Sequence, residues 1–200
     1  MGGGYFPTNS IETLAAGAAL ISFVNIFGGF LVTQRMFDMF KRPTVPKEYT
    51  YLYGIPAAVF LGGYGLAAAN GLSEVNQIAY LAASLCCVGA LSGLSSQKTA
   101  RLGNTLGIMG VTGGIAATLG ILAPTTEVLA QMAGVAGIGG LLGTVIAKKI
   151  EITDLPQLVA AFHSLVGMAA VLTCVATYMH DFPTLATDPA ANVLRTALFL

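Results

Sequence analysis

The placement of charge along this chain constrains its fold more than any other feature. An ionised side chain at the centre of a bilayer costs about 2.5 to 3.5 kcal/mol even on the most lenient scale, so long uncharged runs are candidate membrane spans. Six such runs occur, at residues 13–34, 49–73, 75–97, 102–126, 128–147 and 155–180, each at least 20 residues long. About 20 residues at 1.5 Å rise cover a hydrocarbon core of about 30 Å. The runs are uniformly apolar, unlike the alternating segments of about 10 residues that build a membrane β-barrel. Only 9% of the 200 residues are charged, against about 25% in a soluble domain, and the mean hydropathy is +0.77. The expected fold is therefore all-α and integral to a membrane. A net charge of zero offers no basic face to phosphates and argues against a nucleic-acid partner.

The connecting segments alternate in charge. Arg35, Lys41, Arg42 and Lys47 follow the first run, Lys98 and Arg101 the third, and Lys148 and Lys149 the fifth, while Glu12, Glu74, Glu127, Asp181 and Asp188 mark the other connections. Basic residues in short loops stay on the inside of a membrane, so the N-terminus is expected outside. The first run lacks a basic leader and is longer than the 7 to 15 apolar residues of a signal peptide, so it reads as a span. Residues 189–200 reach only about 18 Å as a helix and read as an incomplete seventh span carrying Arg195. The expectation is a bundle of six full transmembrane helices plus an incomplete seventh. It divides into a first span at 1–34, an inside linker at 35–50, a five-helix bundle at 51–180, and an outside loop with a truncated helix at 181–200.

Pro43 and Pro46 prevent a continuous helix in the linker. Its basic cluster and Asp38 read either as a docking face for a soluble domain or as anchors at the headgroups. Gly103 with Gly107, Gly110 with Gly114, and Gly139 with Gly143 recur at the spacing of close helix contacts. The glycines from Gly137 to Gly143 lack the spacing, preceding strand and following acidic residue of a dinucleotide-binding turn. Cys86, Cys87 and Cys174 read as small hydrophobes inside spans, and two histidines without nearby carboxylates at ligand spacing suggest no metal site.

Candidate chemistry concentrates around His163, eight residues past Leu155 and so about 12 Å into the membrane from the basic side. An imidazole titrates near neutrality when water or a polar partner reaches it. Such a residue is either a proton relay or a neutral imidazole donating one interhelical hydrogen bond. Gln157 lies nearer the face of His163, whereas Ser164 is about 100° around the helix and reads as packing. Asn104 is a further polar candidate, less than one turn past Arg101. Hydroxyls elsewhere in the spans can bond their own backbone. His180 lies at the outer end of its span and reads as solvated.

Three runs carry a resemblance: Gly28-Gly29-Phe30-Leu31-Val32-Thr33-Gln34-Arg35-Met36-Phe37-Asp38-Met39-Phe40-Lys41-Arg42-Pro43, then residues 85–111 with Cys86-Cys87 and Thr99-Ala100-Arg101-Leu102-Gly103-Asn104, then residues 154–174 around His163. Together they resemble the membrane domain of the proton-translocating NAD(P) transhydrogenases, closest to the mitochondrial type. The resemblance implies proton passage through the membrane domain coupled to hydride transfer from NADH to NADP. It places His163 at the family's intramembrane proton-binding histidine. Asn104, Ser164 and Gln157 are possible polar support on the reading of their own positions. It also implies the mitochondrial inner membrane, with the basic loops in the matrix. NAD(H) and NADP(H) are then bound by separate soluble domains, and this chain binds no cofactor itself. The soluble domains and the family's later membrane helices, including the one bearing the asparagine that partners the histidine, are not in this sequence. Alone the chain cannot transfer hydride. Besides the lipid bilayer, its expected partners are those missing parts. The alternative is a transhydrogenase-derived structural subunit of a larger respiratory complex, with its other subunits as partners and no activity of its own.

Overall fold

In a computed structural model the chain is described at residues 9–39, 54–70 and 75–187 and at positions 7, 49 and 52. Among these residues all regular structure is helical: α1 (Ser10–Met39), α2 (Gly54–Ala69), α3 (Val75–Leu94), α4 (Ala100–Leu122), α5 (Thr126–Lys149) and α6 (Leu155–Thr187), the last preceded by a 3-10 turn at Ile152–Asp154. Five of the helices are long and apolar enough to cross a membrane, which fits an integral membrane protein. The exception is α2. Its 16 described residues reach about 24 Å, so five helices rather than six meet the length of a full span. The expected truncated helix at 189–200 lies outside the described residues.

Two helices run past the point where charge was expected to end them. α1 continues through Arg35 and Asp38 to Met39, into the segment expected as linker, because a charge does not break a helix and the first residue that would is Pro43. α6 continues past His180 and through Pro183 to Thr187, where an outside loop was expected, since leaving hydrocarbon does not oblige a helix to stop. α4 stops at a definite signal. Ala123 adopts a left-handed conformation with φ 39° and donates its N–H to the Leu119 carbonyl at 3.0 Å. Pro124 follows, as is common after such a cap. α5 carries Glu127 in its first turn and Lys148 and Lys149 in its last, each sign matched to the helix dipole.

The chain forms two compact units, Met1–Val32 with Thr125–Leu200, and Thr33–Pro124. In the first, α5 lies against α1 through glycine. A Cβ built on Gly143 would fall against the Val24 carbonyl and 3.0 Å from the Gly28 nitrogen, and one on Gly139 would sit 2.8 Å from the Leu20 carbonyl. Contacts ascending together make α1 and α5 parallel. α6 runs antiparallel to α1, with Phe162 against Gly28 and Leu172 against Gly17. Its packed residues are Leu155, Leu158, Phe162, Leu165, Ala169, Leu172 and Ala176. Their spacing alternates three and four, the heptad seam of a left-handed helix pair.

In the second unit α3 and α4 form an antiparallel pair whose backbones nearly touch. A Cβ on Gly93 would lie 2.7 Å from Gly103 Cα, and one on Gly110 would lie 2.6 Å from Cys87 Sγ. α2 runs parallel to α4, with Phe60 against Gly113 and Tyr64 buried against Ala117 and Gly120. Packing is inverted relative to a soluble protein. Ala79, Ala83, Ala90, Ala100, Ala117 and Ala147 are buried, while Leu66, Leu91 and Leu141 are about 70% exposed, as expected where hydrocarbon solvates large side chains and close approach holds helices together.

Gly143→Val forces the α1 and α5 backbones apart and is expected to cost about 1–3 kcal/mol. Gly134→Val, where nothing lies within 4 Å, is expected to be nearly silent. Thermal unfolding of the detergent-solubilised protein compares the two, and equal losses would remove close approach as the reason for the glycine at 143.

Candidate functional site

The site is built on α6, whose seam fixes the azimuth of every other residue on it. His163 follows Phe162, so it lies about 100° off the packed line. It is exposed, directed away from the core of its own unit. Its Nδ1 lies 3.1 Å from the Val159 carbonyl. A carbonyl only accepts, so this bond places the proton on Nδ1 and leaves Nε2 with its lone pair. No Asp, Glu, Lys or Arg occurs between Asp154 and His180. His163 is thus the one basic side chain along about 35 Å of helix.

The other candidates do not all gather around it. Gln157 is exposed near the start of α6. Ser164 is exposed too, and its hydroxyl donates to the Ala160 carbonyl at 3.0 Å, so its hydrogen bond is spent on its own helix. Thr105, Thr118 and Thr173 do the same toward Arg101, Gly114 and Ala169. Asn104 belongs to the other unit, where it is buried on α4 at 8% exposure among the glycines that meet α3. It sits in helix packing.

Two polar contacts in the second unit escaped the sequence reading. The Tyr64 hydroxyl donates to Asn76 Oδ1 at 2.7 Å and approaches the Ala117 carbonyl at 3.3 Å, tying α2 to α3 and α4. The available signal was a tyrosine inside an uncharged run, since a buried phenol usually finds a partner. The second contact pairs Arg101 with Asp38 at 2.8 Å. Asp38 lies near the C-terminus of α1 and Arg101 near the N-terminus of α4, each opposed to its own helix dipole, so each offsets the other's misplacement. Asp38 is therefore engaged within the chain.

Known sequences match the same segments. A family profile described as NAD(P) transhydrogenase beta subunit matches residues 76–199, well over half of the chain. The chain belongs to this family. A second profile, the 4TM region of mitochondrial pyridine nucleotide transhydrogenase, matches residues 3–42. Among curated relatives, NAD(P) transhydrogenase subunit beta from Rhodospirillum rubrum is 48% identical over 107 residues, covering 54% of this chain and 23% of the relative. A second sequence of that subunit, from a defined strain of the same bacterium, aligns to the same extent. The chain thus corresponds to about a quarter of the length of these transhydrogenase subunits.

Ser164→Ala removes a hydroxyl bonded only to its own helix and is expected to shift stability by less than about 0.5 kcal/mol. Tyr64→Phe leaves Asn76 without its donor and is expected to cost about 1 kcal/mol. Thermal midpoints of the two variants test this order.

Proposed function

We propose that this chain is the proton-conducting membrane part of a proton-translocating NAD(P) transhydrogenase, in which hydride passes from NADH to NADP on separate soluble domains and His163 carries the translocated proton. The observation that carries this reading is the setting of His163. It is the one imidazole in the uncharged stretch 155–179 of α6, within the segment matched by the transhydrogenase profile, with Nδ1 anchored to Val159 and Nε2 left with its lone pair. An imidazole takes up and releases protons between about pH 5 and 8. Membrane-embedded ionisable side chains on helices mark proton relays. The Val159 bond holds the ring so that one nitrogen alone exchanges its proton.

The family's remaining helices and soluble nucleotide-binding domains are the partners this reading requires. A histidine left facing lipid would be costly, so a neighbouring helix or a water-filled cavity covers it in the assembly. The compartment is the mitochondrial inner membrane. The acidic ends of α1, α5 and α6 lie on the intermembrane side, and the ends near Lys98, Lys148 and Lys149 lie in the matrix, in keeping with the excess of basic residues there.

The test uses the assembled transhydrogenase containing this chain, reconstituted in liposomes. His163→Ala is expected to lower proton-coupled hydride transfer by about 10²-fold or more with the assembly intact. Unchanged coupling would withdraw the relay role and favour a structural subunit.

A further inference from the structure

α6 carries a second histidine, and its surroundings differ from those of the first. His180 Nδ1 lies 2.8 Å from Asp181 Oδ1, and the His180 side chain is 72% exposed. A carboxylate only accepts, so the bond places the proton on Nδ1 and leaves Nε2 with its lone pair. His180 is 25 residues past Leu155, about 37 Å along the helix and therefore beyond a hydrocarbon core of about 30 Å. An imidazole held by a carboxylate at the water boundary is built to accept a proton from solvent and release it again.

Position along the bundle strengthens this. α1 and α6 pair Gly17 with Leu172, and α1 and α5 pair Leu20 and Phe23 with Gly139. Carrying these registers outward places Glu12 of α1, Glu127 of α5 and the His180–Asp181 pair within about one turn of a common level. This end of the unit carries three carboxylates and the imidazole, with Tyr178 beside them in a tilted ring contact with Phe182. The described residues of α1, α5 and α6 place no Lys or Arg at this end. A concentration of negative charge raises the local population of cations, protons included.

Asp181 of the pair also lines up with His163, while His180 itself lies about 100° off that line. Asp181 is 18 residues on, five turns, and so on the same azimuth about 27 Å away. The side chains within about 40° of that line are Gly167, Ala170, Cys174 and Thr177 alone, all exposed. No bulky residue interrupts the strip between His163 and Asp181, whereas Val166, Val171 and Tyr178 stand beside it.

We propose that the His180–Asp181 pair is the proton-loading group for His163, collecting protons at the acidic end of α6 and passing them along its strip of small side chains. This rests on the reading of His163 as the proton carrier. Nε2 of His180 accepts a proton from hydronium to give an imidazolium held by Asp181. Release to a water on the strip restores the neutral ring, and one proton has moved with no other bond changed.

The test uses the assembled transhydrogenase in liposomes, with pH varied on the side of the acidic end. In the double variant His180→Gln with Asp181→Asn, coupled hydride transfer is expected to fall several-fold, to lose its dependence on that side's pH, and to be restored by added imidazole buffer on that side. Loss of rate without rescue by imidazole would mean a structural lesion and overturn the proposal. An unchanged rate and pH profile would also overturn it if His163→Ala still abolishes coupling. If His163→Ala is silent as well, the proton-carrier reading itself fails. Glu127→Gln, removing a carboxylate from the same level without touching the pair, is expected to give a smaller loss that high salt on that side mimics.

Discussion

The whole arrangement depends on backbones approaching one another where side chains are smallest. In lipid, a leucine gains little by leaving hydrocarbon for a protein interior, so helices associate through close packing and polar contacts. Gly143 against Val24 and Gly28 joins α5 to α1, and Gly93 against Gly103 joins α3 to α4. The buried residues are largely alanines, and the large aliphatic side chains point outward. Because the small residues decide which helix faces meet, they also decide which faces are left over. On α6 the seam from Leu155 to Ala176 is used, and the face bearing His163 is not.

Much of this was legible before any coordinates. Uncharged runs longer than a bilayer's width mark α1, α3, α4, α5 and α6 because the cost of burying charge is large and local. Gly103, Gly110, Gly139 and Gly143 were legible as contact positions because their spacing repeats a helix face. Helix ends were less so. Charge marks where hydrocarbon stops, but a helix stops where hydrogen bonding or sterics stop it, and the two differ at Met39 and at Thr187. Ala123 shows the reverse: its left-handed cap is a property of the backbone, and only Pro124 hinted at it.

The candidate site was legible in one residue and illegible in its partners. His163 stands out because nothing else in its run carries a charge. Gln157 and Ser164 were named for their places beside it on the helix and Asn104 for its polarity inside a span, and hydrogen bonding and burial sort them differently. Ser164 spends its hydroxyl on Ala160, and Asn104 belongs to a different helix packing. Pairs that join distant parts of the chain, such as Arg101 with Asp38 and Tyr64 with Asn76, require knowledge of which helix ends meet. One sequence without a fold does not supply that.

α6 reconciles two demands that ordinarily conflict. Packing needs a bulky seam on α6, whereas the proton passage proposed for it needs a clear face. The alternating three-and-four spacing of Leu155, Leu158, Phe162, Leu165, Ala169, Leu172 and Ala176 confines the bulk to one stripe. An 18-residue separation returns the helix to the same azimuth, so Asp181 stands over His163 however the seam drifts in between. Small residues at 167, 170, 174 and 177 then keep the interval open. Replacing any of these four by a large aliphatic side chain would leave the seam untouched and the helix folded, yet would place bulk on the line between His163 and Asp181. On the proposed reading the same helix therefore separates a lesion in packing from a lesion in passage, because the packed seam and the proposed path occupy different azimuths of one cylinder.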